Sequence, residues 1–264
     1  MRPSDAAKAV SVDVASTVSM AALRRHQLAY LTAEGWADVL QRPLVGDDAA
    51  GLRAWAVRGL PLVVTQQQGA VAAPGPGDVA LGWPAPGTRR RLALRVPTAA
   101  LARCAEFPLA AHAVELLAPG ARPALHDLLR RLASLGVHPH VYGSHGWQCL
   151  SGLGYLHAGS DLDLWFGVSD LAQADRVVGV LADAERDAGV RSDAGQGVGV
   201  VANTAPALPR LDGELVGPDG AAVAWREFMA WRGGRCAGVL VKRLTGVALE
   251  SAPGWPLGPA SLAA

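Results

Sequence analysis

The chain has 264 residues, of which 50% are hydrophobic and 18% charged, so a sizeable buried core is expected and wholesale disorder is excluded. The formal net charge of +1 argues against a general nucleic-acid binder, because such proteins carry a basic excess. The sequence contains no uninterrupted apolar run of membrane-spanning length. Its three scattered cysteines (Cys104, Cys149 and Cys236) favour a reducing, cytoplasmic location over a disulfide framework.

The first part of the chain is predicted to be a tail followed by a small α+β domain. Residues 1–20 lack the pattern of a signal peptide, and either Met1 or Met20 is the true start. The small domain is predicted over 21–104, with Thr32 as the cap of its first helix. Its predicted elements are helices over 32–40 and 49–57 and strands over 60–65, 79–83 and 91–96.

The second part, over 105–264, is predicted to form a larger domain of alternating helices and strands. Leucines at helical spacing predict a helix over 121–135, and a hairpin is expected around residues 217–220. The other predicted elements are strands over 137–142, 161–168, 208–216, 221–225 and 237–243, a tight turn at Gly143-Ser144, and helices over 146–156, 169–188 and 226–231.

Two aspartates on one predicted strand indicate a metal site. Asp161 and Asp163 are two residues apart, so their carboxylates project from the same face of the strand. Two neighbouring carboxylates repel each other, and their shared site favours a divalent cation with oxygen ligands, typically Mg²⁺. The alternative to a metal site is that Asp161 and Asp163 are surface residues on an edge strand.

The Gly143-Ser144 turn, between a strand and a helix, predicts a phosphate-binding element. Glycine lets the backbone approach a ligand closely. The amides at the start of the following helix, together with the serine hydroxyl, can hold a phosphate. A phosphate cradle beside a two-carboxylate metal site is what phosphoryl or nucleotidyl transfer requires.

A third carboxylate is needed to hold two metal ions. The predicted strand around residues 210–215 supplies Asp212 and Glu214, which share a face. Asp212 is the expected third ligand, and Glu214 is the alternative. The sequence therefore predicts a transferase site with a pair of Mg²⁺ ions, for which Mn²⁺ is a substitute.

The hydrophobic-Gly-Ser element, the Asp-x-Asp strand and the later single-Asp strand resemble the nucleotidyltransferase superfamily built on the polymerase-β-like palm. The resemblance implies an α+β fold. A palm-like domain over 105–264, with a mixed sheet backed by helices, would join the smaller α+β domain over 21–104, and the substrate would lie in the cleft between them. Because the interval between Gly-Ser and the aspartate pair is long, the intervening helix or its following loop is expected to be extended.

The residues between Gly143-Ser144 and the aspartate pair, together with the pair itself, resemble one family within this superfamily. GSHGWQCLSGL over 143–153 and SDLDL over 160–164 resemble the malonate decarboxylase holo-acyl-carrier-protein synthases, which are phosphoribosyl-dephospho-CoA transferases. The resemblance covers roughly residues 21–250. Other segments that carry it are Arg25-His26, PLVV over 61–64, LGWPAP over 81–86, Asp212-Gly213-Glu214, VAWRE over 223–227 and Val241-Lys242.

This resemblance implies a specific reaction. The donor would be triphosphoribosyl-dephospho-CoA and the acceptor a serine of the malonate decarboxylase acyl carrier protein, joined by a phosphodiester with release of diphosphate. Neither a nucleic acid nor a membrane is an expected partner. Arginines for contact with an acidic carrier protein are expected in the run Arg89-Arg90-Arg91, which is otherwise a solvated edge or a phosphate contact, and at Arg130-Arg131.

The roles of several further residues have two interpretations each. Lys242 is the only lysine outside the N-terminal tail, and it either ends a strand in solvent or binds the diphosphate leaving group. Arg226 either pairs with Glu227 or binds phosphate. His145 either contacts the donor or packs locally, and Trp147 is either a core residue or a platform for adenine.

Two other functions remain open at the level of sequence. One is another metal-dependent nucleotidyltransferase, which would transfer an adenylyl group to a small molecule or a protein. The other is a palm-like binding module without catalysis. The presence of all three aspartates favours an enzyme.

Overall fold

The computed structural model describes residues 23–44, 47–67, 77–88, 90–193 and 208–251. The predicted tail over 1–20 and Arg89 lie outside these ranges. The described chain contains two sheets, one of five strands and one of six, together with helices, so the predicted α+β class is confirmed. Every helix in the described ranges is too short or too polar to span a bilayer.

The N-terminal sheet is antiparallel throughout, with the strand order β4-β3-β2-β1-β5. Its strands are β1 (Leu28–Leu31), β2 (Leu62–Val64), β3 (Asp78–Pro84), β4 (Arg91–Pro97) and β5 (Leu101–Ala105).

Two helices, α1 (Ala33–Gln41) and α2 (Asp47–Val57), accompany this sheet. The predicted cap is confirmed, because the Thr32 hydroxyl accepts the Gly35 N–H at 3.0 Å. Side chains of both helices and of the sheet, including the fully buried Trp55 and Trp83, form one apolar core.

The C-terminal sheet has the order β11-β10-β9-β8-β7-β6. One of its pairs, β7 and β8, is parallel, and the other pairs are antiparallel. The elements of this part are α3 (Arg122–Ala133), β6 (His140–Val141), α4 (Gly143–Ser151), β7 (Leu162–Gly167), α5 (Leu171–Asp193), β8 (Leu211–Val216), β9 (Ala222–Ala224), α6 (Trp225–Arg232), β10 (Val239–Arg243) and β11 (Gly246–Glu250).

The two faces of this sheet have different surroundings. Leu162, Leu164 and Phe166 of β7 and Leu215 of β8 are buried in a core shared with α3, α5 and α6. The alternate residues of the same strands project from the opposite face. That opposite face carries the acidic residues and is turned toward the N-terminal part.

The two parts of the chain share an apolar interface. Trp147 of α4 and Phe107 belong to the N-terminal core, where their rings meet edge to face with centroids 5.0 Å apart. Tyr155, in the loop after α4, packs on the same core and donates its hydroxyl to the Pro84 carbonyl at 2.8 Å. The start of α4 is therefore held between the two sheets.

The prediction of a tight turn at Gly143-Ser144 and a helix over 146–156 is wrong in its boundaries. The helix α4 begins at Gly143 and ends at Ser151. Gly152, with a φ of 68°, forms a left-handed cap that stops it. The long interval before the aspartate pair is therefore taken up by the loop over 152–160, one of the two places expected.

Candidate active site

The predicted carboxylates lie side by side on the two parallel strands. Asp163 of β7 is in register with Asp212 of β8, and Trp165 is in register with Glu214. Residues in register on adjacent strands project from the same face. Asp161 precedes Asp163 by two residues, so the structure brings these acidic groups to one end of one sheet face.

The charges of this cluster affect one another. Burial, followed by the negative charges of Asp212 and Asp161, raises the pKa of Asp163 to about 6, and the positive charge of Arg91 opposes the shift. Such a rise means that ionised Asp163 is poorly neutralised by the surrounding protein. Hard oxygen ligands with uncompensated negative charge fit a divalent cation such as Mg²⁺. As they stand, no three carboxylate, imidazole or thiol groups of the described chain surround one point closely enough to hold a metal ion.

The start of α4 lies directly against Asp163. Gly143 has a φ of 59°, and a Cβ atom at this position would stand 1.9 Å from Asp163 Oδ2. The Tyr142 N–H donates to the Asp163 carbonyl at 3.0 Å. No side chain caps this end of α4, and uncapped amides at the start of a helix can bind an anion.

Glu214 differs from Asp212 in having the Lys242 ammonium and the His26 imidazole as partners. Lys242 donates to Glu214 Oε1 at 2.7 Å, and His26 Nε2 lies 3.5 Å from Glu214 Oε2. Burial alone would raise the pKa of Glu214, but His26 and Lys242 hold it at about 2. Among the described hydrogen bonds, Asp212 accepts one, from Gly213 N at 2.8 Å. Asp212 is thus the freer of the two alternatives for a third ligand.

A cavity of about 220 Å³ lies between the two parts of the chain, beside Asp163. Gly143 and Arg91 also line it, as does His26. The rest of its wall is mainly apolar and aromatic, formed by Leu81, Trp83, Leu92, Phe107, Tyr142 and Trp147. This position corresponds to the cleft in which the sequence predicts the substrate.

A second cavity, of about 490 Å³, adjoins Asp161. Arg210 lines it and lies with its Nη1 atom 3.4 Å from Asp161 Oδ2. His145 lines it too; its Nδ1 donates to the Asp161 carbonyl at 3.0 Å, and burial lowers its pKa. Asp163 therefore faces one cavity and Asp161 the other.

Arg226 pairs with a different acidic residue from the one considered in the sequence. It contacts Glu185 of α5 with both terminal nitrogens, one at 2.6 Å, and donates to the Leu211 carbonyl at 2.7 Å. The hydrogen bond to Glu185 raises its pKa, and Asp212 adds to the effect. Arg226 thus ties α5 and α6 to β8, close to the carboxylates.

The arginines expected at a carrier-protein surface are mostly paired within the chain. Arg90 pairs with Asp48, Arg130 with Asp127 and Arg131 with Asp183. Arg89 is outside the described residues, and Arg91 faces the first cavity.

Two residues at the site were not predicted from their own sequence patterns. His26 is the only non-glycine residue of the described chain with positive φ, at 63°, and such strain is concentrated at functional positions. Tyr142 precedes Gly143; its pKa is raised by burial and then by Glu214 and Asp163. His26 occurs in the motif Arg25-His26, which was the available signal, whereas Tyr142 resembles any buried strand residue.

Comparison with known proteins gives a single family. The family model described as phosphoribosyl-dephospho-CoA transferase MdcG N-terminal domain matches residues 24–107. The model of the C-terminal domain of the same family matches residues 108–198 and 191–253. No solved structure matches this chain significantly.

Curated relatives carry the same name. The phosphoribosyl-dephospho-CoA transferase of Xanthomonas axonopodis pv. citri (strain 306) is 38% identical over 194 residues, which cover 72% of this chain and 78% of that protein. The one from Xanthomonas campestris pv. campestris (strain 8004) is 34% identical over 227 residues, covering 85% and 92%. The one from Bradyrhizobium diazoefficiens is 32% identical over 230 residues, covering 85% and 88%. On these matches, the chain belongs to the phosphoribosyl-dephospho-CoA transferase MdcG family.

Proposed function

We propose that the protein transfers the phosphoribosyl-dephospho-CoA group from triphosphoribosyl-dephospho-CoA to a serine of the malonate decarboxylase acyl carrier protein. The names of the relatives support the transferred group. The observation that carries the chemistry is the pair Asp163 and Asp212, which are in register on adjacent strands, with Asp163 directly against the start of α4 at Gly143. An anion-binding helix end beside paired carboxylates suits attack on a phosphate ester.

The reaction exchanges one phosphorus–oxygen bond for another. The serine oxygen attacks the phosphorus attached to the ribosyl group, and the bond from that phosphorus to the diphosphate breaks. Asp212 accepts the serine proton, which then passes to water. The amides at the start of α4 and the Ser144 hydroxyl would hold the phosphate oxygens. Lys242 and Arg226 would stabilise the diphosphate that leaves with the N–H groups that Glu214, Glu185 and the Leu211 carbonyl do not occupy.

Asp161, Asp163 and Asp212 would hold the divalent cations, a pair of Mg²⁺ ions with Mn²⁺ as a substitute. Their fit rests on the raised pKa of Asp163, which reports carboxylate charge that the protein itself leaves uncompensated. Bound there, the cations would supply Lewis-acid stabilisation of the charge at phosphorus. Glu214 is left out of the primary set because the Lys242 ammonium, 2.7 Å away, already neutralises it and His26 lies against its other oxygen.

The test is a mass-shift assay with purified carrier protein, triphosphoribosyl-dephospho-CoA and Mg²⁺. Asp163→Asn and Asp212→Asn should each lower the transfer rate by at least about 100-fold, the scale of a lost charge-stabilising or proton-transfer group. Asp187→Asn, on the exposed surface of α5, is the matched control and should transfer at the rate of the unaltered protein.

Three results would count against the proposal. Full activity of either site variant, or of the unaltered protein in excess chelator, would remove the carboxylate mechanism. A carrier protein that gains mass from ATP but never from the CoA-derived donor would point instead to adenylyl transfer.

A further inference from the structure

Arg91 lies on the face of β4 that is turned toward the first cavity. Leu94 and Val96 of the same strand are buried in the core of the N-terminal part. Residues at the alternate positions of a strand project from its other face, and both Arg91 and Ala93 line the cavity of about 220 Å³. The N-terminal sheet therefore presents an arginine to the space beside Asp163.

The guanidinium of Arg91 is free to meet a ligand. Within the described ranges it has neither a hydrogen bond nor an ion pair, and the residue is exposed. Its neighbour Arg90, in contrast, is paired with Asp48 at 2.6 Å. A guanidinium is a planar fork of N–H donors that matches the oxygens of a phosphate group. Arg91 can therefore bind a phosphate without giving up a partner of its own.

Arg91 and Asp163 line the same space from different parts of the chain. The positive charge of Arg91 opposes the rise in the pKa of Asp163, so the two side chains are electrostatically coupled, although no ion pair joins them in the described structure. A carboxylate repels a phosphate unless a cation compensates its charge. The divalent cations of the proposed function would supply that compensation, and Arg91 offers N–H donors to the phosphate from the N-terminal wall.

We infer that Arg91 binds a phosphate group of the donor in this cavity, together with the start of α4. Gly143, the first residue of α4, lines the same cavity, and the positive end of a helix dipole attracts anions. The identification of the ligand as the donor rests on the proposed function. The site is then completed across the two parts of the chain, because the carboxylates and helix amides come from one part and the guanidinium from the other.

The first experiment measures binding by titration calorimetry on the full chain in Mg²⁺, with no carrier protein present. The probes are inorganic triphosphate and pantetheine, which has no phosphate. Arg91→Gln should weaken binding of triphosphate about tenfold, the scale of a lost hydrogen bond to a charged group, and should leave binding of pantetheine unchanged. Arg53→Gln is the matched control and should bind triphosphate normally, since Arg53 is an exposed arginine of α2 that lines neither of the two cavities.

A pair of substitutions at Ala93 tests the same wall while Arg91 stays in place. Ala93 is exposed and lines the cavity, so a longer side chain there does not enter the core. Ala93→Glu adds a negative charge that repels a phosphate and competes for the guanidinium. Ala93→Gln adds a side chain of nearly the same size without the charge. The glutamate variant should bind triphosphate about two- to fivefold more weakly than the glutamine variant, the range for an exposed charge pair.

Steady-state kinetics then separates the two substrates. Arg91→Gln should raise the KM for the donor about tenfold and leave the KM for the carrier protein unchanged. A rise in the KM for the carrier protein alone would assign Arg91 to the surface that meets that protein and would overturn the inference.

The inference also fails if triphosphate does not bind, or binds Arg91→Gln as tightly as the unaltered protein. Equal binding of triphosphate by the two Ala93 variants would likewise contradict it. Triphosphate binding that needs Arg91, in a protein that never modifies the carrier protein, would leave the phosphate site standing and overturn the proposed function. Normal transfer with triphosphate binding insensitive to Arg91→Gln would do the reverse.

Discussion

At the scale of single residues, Asp163 is the group whose ionisation most clearly lowers the stability of the folded protein. Burial and then the carboxylates of Asp212 and Asp161 raise its pKa to about 6, from an ordinary value of 3.8. A folded-state pKa above the unfolded value means that ionisation opposes folding. The penalty is absent below pH 3.8 and is complete once the pH has risen above 6.

Asp163→Asn should therefore stabilise the protein while it inactivates the enzyme. In chelator at about pH 8, we expect the free energy of unfolding to rise by about 1–2 kcal/mol, after a discount for solvent screening. The gain should shrink as the pH is lowered through 6 toward 3.8. Urea unfolding across this range measures it, with the exposed Asp187→Asn as control. An equal or lower stability of Asp163→Asn at the alkaline end would contradict the burial of an uncompensated charge.

At the scale of elements, α4 is bounded by two glycines with left-handed backbone. Gly143 has a φ of 59° and Gly152 a φ of 68°. A Cβ atom at Gly143 would stand 1.9 Å from Asp163 Oδ2, whereas one at Gly152 would meet nothing within 4 Å. The two positions therefore separate backbone strain from contact with the site.

Alanine substitutions at the two ends of α4 should have different consequences. Gly152→Ala should cost about 1–2 kcal/mol of stability, from the left-handed backbone alone, and should leave the transfer rate unchanged. Gly143→Ala has the same strain and must also displace Asp163, and a shift of about 1 Å in a catalytic group lowers rates about 100-fold. Thermal unfolding and the mass-shift assay measure both. Similar activities in the two variants would show that the contact between Gly143 and Asp163 has no catalytic importance.

The elements that the sequence predicts well are those whose own residues show a period. In β7, Leu162, Leu164 and Phe166 recur at every second position, and the leucines of α3 repeat at helical spacing. β5 was missed because only Leu101 of its residues is fully buried, and it pairs with β1, more than 70 residues earlier in the chain. β11 was missed because its Val247 and Leu249 are exposed, so no buried face marks it as a strand.

The site, too, could be predicted from the sequence only where neighbouring residues alone determine the geometry. The strand alternation around Asp161 and Asp163 places two carboxylates on one face by local geometry alone. The contact of Lys242 with Glu214 depends on the strand order, because β9 lies between their strands. His26 reaches the site from the turn before β1, and that approach depends on how the N-terminal and C-terminal parts of the chain pack.

At the scale of the whole molecule, the carboxylates lie between two cavities of different character. The first, about 220 Å³, is shared by both parts of the chain. The second, about 490 Å³, is lined by residues of the C-terminal part, among them Asp161 and Arg210. A transferase must bring its donor and its acceptor to one point from different directions. We expect the donor in the first cavity, so the serine of the carrier protein would approach through the second.

Arg210 is the exposed cation on that second side. Its side chain is 61% exposed, and its ion pair with Asp161, at 3.4 Å, is long. An acidic carrier protein should therefore be attracted to it. Arg210→Gln should raise the KM for the carrier protein about two- to fivefold, the range for an exposed charge pair, and leave the KM for the donor unchanged. Because salt screens exposed charges, the difference should diminish as ionic strength rises.

The control for Arg210→Gln is Arg186→Gln on α5, where the exposed arginine pairs with Asp183 on the same helix. Steady-state kinetics with each substrate varied in turn separates the outcomes. A rise in the KM for the donor alone would place the donor in the second cavity and reverse the assignment of the two sides. An equal effect of both variants on the carrier protein would reduce the attraction to the general charge of the surface, because Arg186 lies on α5 and lines neither cavity.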